Sequence, residues 1–313
     1  MRVLSIDGGG IRGLIPALVL AEIERRTGRR ISDLFDLIAG TSTGGLLALA
    51  LARPGETGQP AFTAEELAEL YVTEGPKIFR RSLIKRITSV EGLVEERYDD
   101  EGLRDALDRY LGETRLREAL VDVLITAYDI QGRFAFFFRS ARARTDPAYD
   151  FSMAEAARAT SAAPAYFEPI EVTDAAGQRS YPLIDGGVFA INPAMCAYAD
   201  VVGAGKPVNV LAALGTGSLT RAYTLAEAQG WGQLGWARPL LDMVFDGVAD
   251  TTDFQLATLA RERYVRLQVE LRYARDELDD ASEANLRRLR GDAERLIAER
   301  SADIEALCER VAG

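Results

Sequence analysis

The sequence of 313 residues contains no histidine. Without an imidazole the chain cannot form a Ser-His-Asp or Cys-His catalytic centre, a histidine-ligated zinc site or a histidine pH switch. Acid–base chemistry must therefore rest on carboxylates, lysine or tyrosine. Cysteine is also scarce, because Cys196 and Cys308 are the two thiols and neither belongs to a CxxC spacing. The sequence thus does not support a disulfide framework or a thiolate metal site.

Positive charge and long apolar runs are limited as well. The chain has 37 Lys and Arg against 48 Asp and Glu, a net charge of −11, so we expect no nucleic-acid partner. The longest weakly polar run, Leu37 to Ala52, is broken by polar residues and is shorter than the ~18 residues of a membrane span. The N-terminus lacks the layout of a signal peptide, so we expect a cytoplasmic protein.

Short apolar runs alternate with amphipathic stretches in the first two thirds of the chain, and the rest reads as helical. Strands are predicted at Val3–Ile6, Leu34–Ala39, Asp122–Ala127, Arg133–Phe138, Tyr181–Ile184 and Val208–Ala213. Helices are predicted at Leu14–Arg26, Gly45–Ala52, Thr63–Tyr71, Glu101–Leu111, Met153–Ala159, Pro193–Ala199, Pro239–Val248, Asp253–Arg261 and Ser282–Val311. This alternation predicts an α/β fold with a mostly parallel sheet covered on both faces. We expect a single domain, with a core of residues 1–220 and a helical part of residues 221–313 packed on it.

The segment Gly40-Thr41-Ser42-Thr43-Gly44 matches the G-x-S-x-G pattern. An apolar run precedes it and an apolar helix follows, which is the setting in which a sharp strand-to-helix turn exposes a nucleophilic serine. The α/β-hydrolases that use this elbow take their base from a histidine, so that family is excluded. We therefore expect a carboxylate at a strand end as the base for Ser42.

Two further segments follow predicted strands. In Asp7-Gly8-Gly9-Gly10-Ile11-Arg12-Gly13 the glycines can turn several backbone amides toward one point, which suits an oxyanion or a phosphate. The same string also fits the dinucleotide fingerprint, although the acidic residue expected after the second strand is replaced by the serine elbow. The other segment is Asp185-Gly186-Gly187, which taken alone is typical of a turn.

Together these three segments resemble the signatures of the patatin-like phospholipase family. The glycine-rich loop looks like its oxyanion loop, the serine turn like its nucleophile elbow, and Asp185-Gly186-Gly187 like its base motif. Four other stretches are similar to bacterial members, namely Ala159–Phe167, Ile191–Pro193, Leu214–Gly217 and Trp236–Leu240. The resemblance covers most of the chain, and it implies a patatin-like three-layer α/β/α fold with a helical C-terminal region.

The resemblance also implies a function, a phospholipase A-type lipid acyl hydrolase that works with a Ser–Asp dyad and needs no metal or cofactor. Ser42 would be the nucleophile and Asp185 the general base. The amides of Gly8, Gly9 and Gly10 would hold the oxyanion, with Arg12 adding charge beside the loop or tying it in place. Asp7 would support the loop. The alternatives are a phospholipase effector activated by a ligand or partner, and a non-catalytic nucleotide-binding protein.

Two segments suggest how the chain would contact lipid. Lys77–Arg86 is basic and apolar together, so it could contact a membrane surface peripherally, or it could be an ordinary helix with buried apolar residues. The segment from Gly230 to Phe245 contains two tryptophans flanked by glycines, and it could cover the site as a lid or form a packed connection. The sequence does not predict an oligomeric state.

Overall fold

A computed structural model describes residues 1–79, 100–164, 166–218 and 222–313. The strands are β1 Arg2–Ile6, β2 Leu37–Gly40, β3 Asp122–Asp129, β4 Phe134–Arg139, β5 Ile170–Thr173, β6 Ser180–Asp185, β7 Val210–Leu214 and β8 Tyr264–Leu267. The helices are α1 Leu14–Thr27, α2 Ile31–Leu34, α3 Thr43–Ala52, α4 Ala64–Ile78, α5 Asp100–Tyr110, α6 Ser140–Ala143, α7 Met153–Thr160, α8 Gly187–Ala190, α9 Ala194–Gly203, α10 Leu225–Gly230, α11 Gln233–Leu259, α12 Glu283–Glu299 and α13 Ser301–Ala312. Within the described ranges, no helix is both long and apolar enough to cross a membrane.

The strands form one sheet in the order β5-β6-β3-β2-β1-β7-β8, with β4 paired to β3. Strands β3, β2, β1, β7 and β8 are parallel to their neighbours in that run, whereas β4, β5 and β6 pair in antiparallel fashion. The predicted α/β fold with a mostly parallel sheet is therefore confirmed.

Buried side chains on both faces of the sheet produce three layers. In β1, Leu4 and Ile6 belong to the larger apolar core, which includes residues of α1, α3, α4, α12 and α13. Val3, directly before Leu4 in the strand, belongs to a second core with residues of α9 and the end of α11. Because successive side chains of a strand point to opposite faces, near-continuous apolar strands such as these require helices on both sides.

The structure departs from the predicted elements mainly in the C-terminal third. The two helices predicted at Pro239–Val248 and Asp253–Arg261 are one helix, α11, because Ala249–Thr252 between them contains no helix-breaking residue. Strand β8 was not predicted, since Arg266 interrupts its short apolar pattern. The part from residue 221 onward is thus mainly helical but adds one strand to the sheet, parallel to β7.

Pairing along one edge of β3 brings the ends of two strands, β2 and β6, close together. Strand β4 occupies the other edge of β3 along Leu124–Asp129. On the opposite edge, β2 pairs with the first half of β3 and ends with Gly40 opposite Ile125. The antiparallel β6 pairs with the second half and ends with Asp185 opposite Ala127. The carboxyl ends of β2 and β6 therefore approach each other head to head, two residues apart along β3.

Candidate active site

Ser42 lies in the sharp turn between β2 and α3. Its backbone angles are φ 53° and ψ −126°, a conformation that side-chain-bearing residues rarely adopt and that is found at functional sites. Hydrogen bonds hold the turn from two sides: the Ser42 amide donates to Thr160 Oγ1 at 2.8 Å, and Thr41 Oγ1 donates to the Ala190 carbonyl at 2.6 Å. The strained turn is thus fixed by residues that are far away in sequence.

The two glycines of the elbow are required by close backbone contacts. A Cβ on Gly44 would collide with the carbonyl oxygen of Ile6 at the end of β1, and a Cβ on Gly40 would collide with the carbonyl oxygen of Gly44. Only glycine allows the turn, β1 and the start of α3 to pack this closely. The sequence motif therefore reflects a steric requirement around Ser42.

The carboxyl group of Asp185 lies beside the hydroxyl group of Ser42, close enough for that hydroxyl group to favour its charged form. Asp185 is 3% exposed, and its Oδ1 accepts a hydrogen bond of 2.7 Å from the Gly187 amide. Gly186, between them, packs against Thr126 of β3 so closely that a Cβ would collide with it. Burial raises the pKa of Asp185 to about 7, although the Ser42 hydroxyl group and the Gly187 amide oppose the rise. The carboxyl group is therefore poised to exchange a proton near neutral pH.

The glycine-rich loop after β1 runs alongside the serine turn. The Gly8 amide donates to the Ile191 carbonyl at 2.9 Å, whereas within the described part of the chain the amides of Gly9 and Gly10 have no protein acceptor. Gly10 has a φ of 56°, and a Cβ there would also collide with the Leu278 carbonyl. Gly13 closes the loop against Thr43 and Tyr71. The loop thus leaves two amides available to an anion.

Arg12 is a buried cation on which the charges of several acidic side chains act. It is 9% exposed, and its Nε and Nη1 make no hydrogen bond within the described residues. Burial lowers its pKa, while the charges of Asp246, Asp276 and Asp242 raise it. Its charge therefore faces carboxylates from α11 and from the segment before α12. Among the described residues, no group of three or more acidic or cysteine side chains could hold a metal ion.

An apolar cavity extends from Ser42 between three helices. It encloses about 160 Å³, similar to an engineered cavity of about 150 Å³ that binds benzene. Ser42, Asp185, Gly9 and Gly10 line one end. Its walls are mostly apolar side chains of α3, α4 and α5, among them Leu46, Leu47, Ala50, Leu67, Leu70, Leu103 and Leu107. Along α3 the lining runs from Thr43 to Ala50, which spans about 10 Å at 1.5 Å per residue. The cavity suits an apolar chain whose polar end reaches Ser42.

The segment that the sequence suggested as a lid contributes one wall of this cavity. Phe245 of α11 lines it near Gly187. Trp231 and Trp236 stack edge to face with ring centroids 4.9 Å apart, and Trp236 is 38% exposed. The segment therefore borders the cavity through Phe245, whereas Trp236 and Leu240 are partly exposed.

The sequence model of the patatin-like phospholipase family matches residues 4–198. The chain belongs to this family. Among its patatin-like relatives is Patatin-like protein 4 of Arabidopsis thaliana, which is 32% identical, with 95% of this chain and 83% of that protein covered. Another relative, of Solanum tuberosum, is named Probable inactive patatin-3-Kuras 1 and is 34% identical, with 91% of this chain and 83% of the relative covered. Membership of the patatin-like family supports a lipid acyl hydrolase activity in general.

Among solved structures, VipD from Legionella pneumophila aligns over 95% of this chain and 67% of its own. The TM-score is 0.39 and the sequence identity is 10%.

Several residues that shape this patatin-like site were not singled out by the sequence motifs. Thr160 accepts from the Ser42 amide, Ile191 accepts from the Gly8 amide, and Thr216 Oγ1 donates to the Gly8 carbonyl at 2.7 Å. All three lie in stretches that resemble bacterial members of the family, so that resemblance was the available signal.

Most of the suggested membrane segment Lys77–Arg86 lies outside the described residues. Lys77 itself is on α4 and pairs with Glu74 at 2.9 Å.

Proposed function

We propose that the chain is a serine lipid acyl hydrolase of the phospholipase A type, with Ser42 as nucleophile and Asp185 as general base. The observation that carries the proposal is the placement of the Ser42 hydroxyl group beside the buried Asp185 carboxyl group, in the lining of an apolar cavity and near two available amides. A serine, a base in contact with it and amide donors are the components of acyl transfer.

In the first half of the reaction, Ser42 Oγ attacks the ester carbonyl carbon and Asp185 accepts the hydroxyl proton. The carbonyl oxygen becomes an oxyanion, which the amides of Gly9 and Gly10 stabilise. The Gly8 amide would contribute indirectly, because its bond to Ile191 holds the loop in place. Collapse of the intermediate leaves the acyl group on Ser42, and the departing alcohol takes the proton from Asp185.

In the second half, Asp185 removes a proton from a water molecule, which attacks the acyl-enzyme carbonyl carbon. A second oxyanion forms at the same amides, and its collapse releases the fatty acid as Ser42 regains a proton from Asp185. The raised pKa of Asp185 supports this role, since an ordinary aspartate is too weak a base to take a serine proton efficiently near neutral pH. The apolar cavity would hold the acyl chain in both halves.

The proposal is tested by hydrolysis of a short-chain p-nitrophenyl ester and of phospholipid vesicles. Wild type, Ser42→Ala and a matched control, Ser32→Ala on α2, are compared side by side. We expect turnover by wild type and by Ser32→Ala, and a loss in kcat of about 10⁶-fold in Ser42→Ala. Wild-type turnover retained in purified, folded Ser42→Ala would refute the dyad. Labelling of Ser42 by a fluorophosphonate would argue against a nucleotide-binding protein without catalytic activity.

The same assay separates a constitutive enzyme from an activated one. Turnover of the small ester alone would favour an effector that needs a ligand or partner before it attacks vesicles.

We also propose that the protein is cytoplasmic and contacts membranes peripherally through Lys77–Arg86, because the cations of this segment are attracted to anionic lipids. Binding of the Ser42→Ala variant to vesicles that contain phosphatidylserine should then weaken with salt and with charge reversal at Arg80 and Arg81.

A further inference from the structure

The glycine-rich loop is held in place largely by residues that lie far beyond it in sequence. The Asp7 amide donates to the Leu214 carbonyl at 3.0 Å, and the Ile11 amide donates to the Leu278 carbonyl at 2.9 Å. Thr216 Oγ1 donates to the Gly8 carbonyl. These three partners lie after residue 198, where the match to the family ends. The C-terminal third of the chain therefore holds the loop that carries the candidate oxyanion donors.

An ion pair supplies a further link of this kind, between Asp7 and Arg266. The guanidinium group of Arg266 donates from Nη1 to Asp7 Oδ1 at 3.1 Å and from Nη2 to Asp7 Oδ2 at 2.6 Å. The side chains are 4% and 16% exposed. A two-pronged contact of this kind fixes both the position and the orientation of a carboxylate. The residue directly before Gly8 is thus clamped.

The sheet register explains how Arg266 reaches Asp7 across a strand. Arg266 of β8 is paired with Ala213 of β7, and Ala213 is paired with Ser5 of β1. Paired residues point to the same face of a sheet, and Asp7 follows Ser5 by two residues, so Asp7 also projects to that face. The methyl group of Ala213 leaves room for the long arginine side chain to pass over β7. The side chain of Arg266 therefore connects β8 to the glycine-rich loop of the site.

The charge of Arg266 also matters because Asp7 lies beside the place where negative charge would develop. Burial raises the pKa of Asp7, and Arg266 opposes that rise. Without the guanidinium group, Asp7 would be either a buried carboxylate that repels an oxyanion or a protonated acid with a different hydrogen-bond geometry. Asp253 of α11 is a second carboxylate whose charge acts on Asp7 and Arg266.

We propose that Arg266 is a positioning residue of the hydrolase: by clamping Asp7 it sets the orientation of the Gly9 and Gly10 amides toward the oxyanion. The inference rests on the proposed acyl hydrolase function. It predicts that loss of Arg266 slows acyl transfer without weakening the binding of a small ester, because the ester itself contacts Ser42 and the cavity.

The experiment compares wild type with Arg266→Gln, Arg266→Lys, Asp7→Asn and the double variant Asp7→Asn/Arg266→Gln. Arg263→Gln is the matched control, since Arg263 is in the same segment and its side chain donates to the backbone carbonyls of Ala260 and Val208. For each variant, the thermal midpoint reports folding, and kcat and KM are measured on a short-chain p-nitrophenyl ester. The rate constant for fluorophosphonate labelling of Ser42 gives a second measure of the same donors.

We expect Arg266→Gln to lower kcat and the labelling rate by about 10²-fold, the scale of a misplacement of roughly 1 Å, with KM within about two-fold of wild type. Arg266→Lys should recover part of the rate, because it keeps the charge but cannot make the two-pronged contact. The double variant should fold at least as well as Arg266→Gln and remain slow, whereas Arg263→Gln should match wild type.

Two results would overturn the positioning role. One is a wild-type kcat in folded Arg266→Gln, or in the folded double variant if the single one does not fold. The other is a change in kcat and KM together that Arg263→Gln shares, which would indicate a general effect on this segment. An inactive, unlabelled wild type would instead refute the proposed function and the inference with it, so the two failures are distinguishable.

Discussion

Two aspartates in this chain end a β-strand or directly follow one, and each is followed by two glycines, yet their surroundings differ. Asp7 follows β1, and Arg266 clamps both of its carboxylate oxygens. Asp185 ends β6, and within the described residues it contacts no cation, but its Oδ1 accepts a bond from the Gly187 amide and the Ser42 hydroxyl group lies beside it. Both aspartates are 3% exposed.

The two aspartates thus differ in the charge of their partners and not in their local sequence pattern, and we propose that this difference separates the base from the support. Burial raises the pKa of both carboxyl groups. Neutral donors oppose the rise only partly at Asp185, so its pKa is about 7. At Asp7 a guanidinium group in direct contact favours the ionised form, which suits a group that must stay fixed. An Asp-Gly-Gly segment can therefore serve either role.

The largest expected effect follows from exchanging the carboxylate for an amide at each site. We expect Asp185→Asn to lower kcat on a p-nitrophenyl ester by about 10⁴-fold or more, because it removes the proton acceptor of Ser42. Asp7→Asn should cost about 10²-fold, since it only disturbs the loop. Steady-state kinetics on the two folded variants checks this. Equal losses in both would remove the distinction between base and support.

The next effect concerns the loop that Asp7 supports. A Cβ on Gly9 would collide with Thr216 Oγ1, so Gly9→Ala must displace the loop or Thr216. We expect a loss of about 2.7–4 kcal/mol in transition-state stabilisation, the scale of one oxyanion donor. Gly203→Ala, at the end of α9 with no atom near the added Cβ, is the matched control. If kcat is unchanged in Gly9→Ala, the loop does not supply these donors.

A smaller and more diagnostic effect is the pH dependence of the reaction. A base acts only when it is unprotonated, so kcat/KM should fall tenfold for each unit of pH below about 7, the pKa of Asp185. Asp7→Asn should keep the same midpoint at a lower rate, because Asp7 does not take the proton. Rates on the small ester between pH 5 and 9 test this. A midpoint near 4 would mean that burial does not tune Asp185.

Much of this site could be predicted because its motifs are local. The contact of Gly40 with the Gly44 carbonyl oxygen and the strained backbone of Ser42 between them lie within one strand-turn-helix unit, which leaves a readable pattern in the sequence. The alternation of apolar strands and amphipathic helices likewise predicted the sheet, since both faces of strands such as β1 are buried.

The rest depends on pairings between distant segments, which no local pattern contains. The approach of Ser42 to Asp185 follows from the way β2 and β6 share one edge of β3. The link from Arg266 to Asp7 follows from the register of β7 with two neighbours. Strand β8 was not predicted because Arg266, the residue that reaches the site, interrupts the apolar pattern by which strands are recognised.

The smallest expected effect is on stability, and it follows from the charged form of Asp185. Folding raises the pKa of Asp185 from an unfolded value of about 3.9, so wild-type stability falls as pH rises from about 4 to 7 and then levels off. Asp185→Asn cannot ionise, and its amide can still accept from Gly187 and donate to Ser42. It should therefore gain about 1–2 kcal/mol in the free energy of unfolding over wild type at pH 8, and little at pH 4. Urea unfolding at both pH values measures these differences, and a loss at pH 8 in Asp185→Asn would show that the fold does not disfavour the charged form of Asp185.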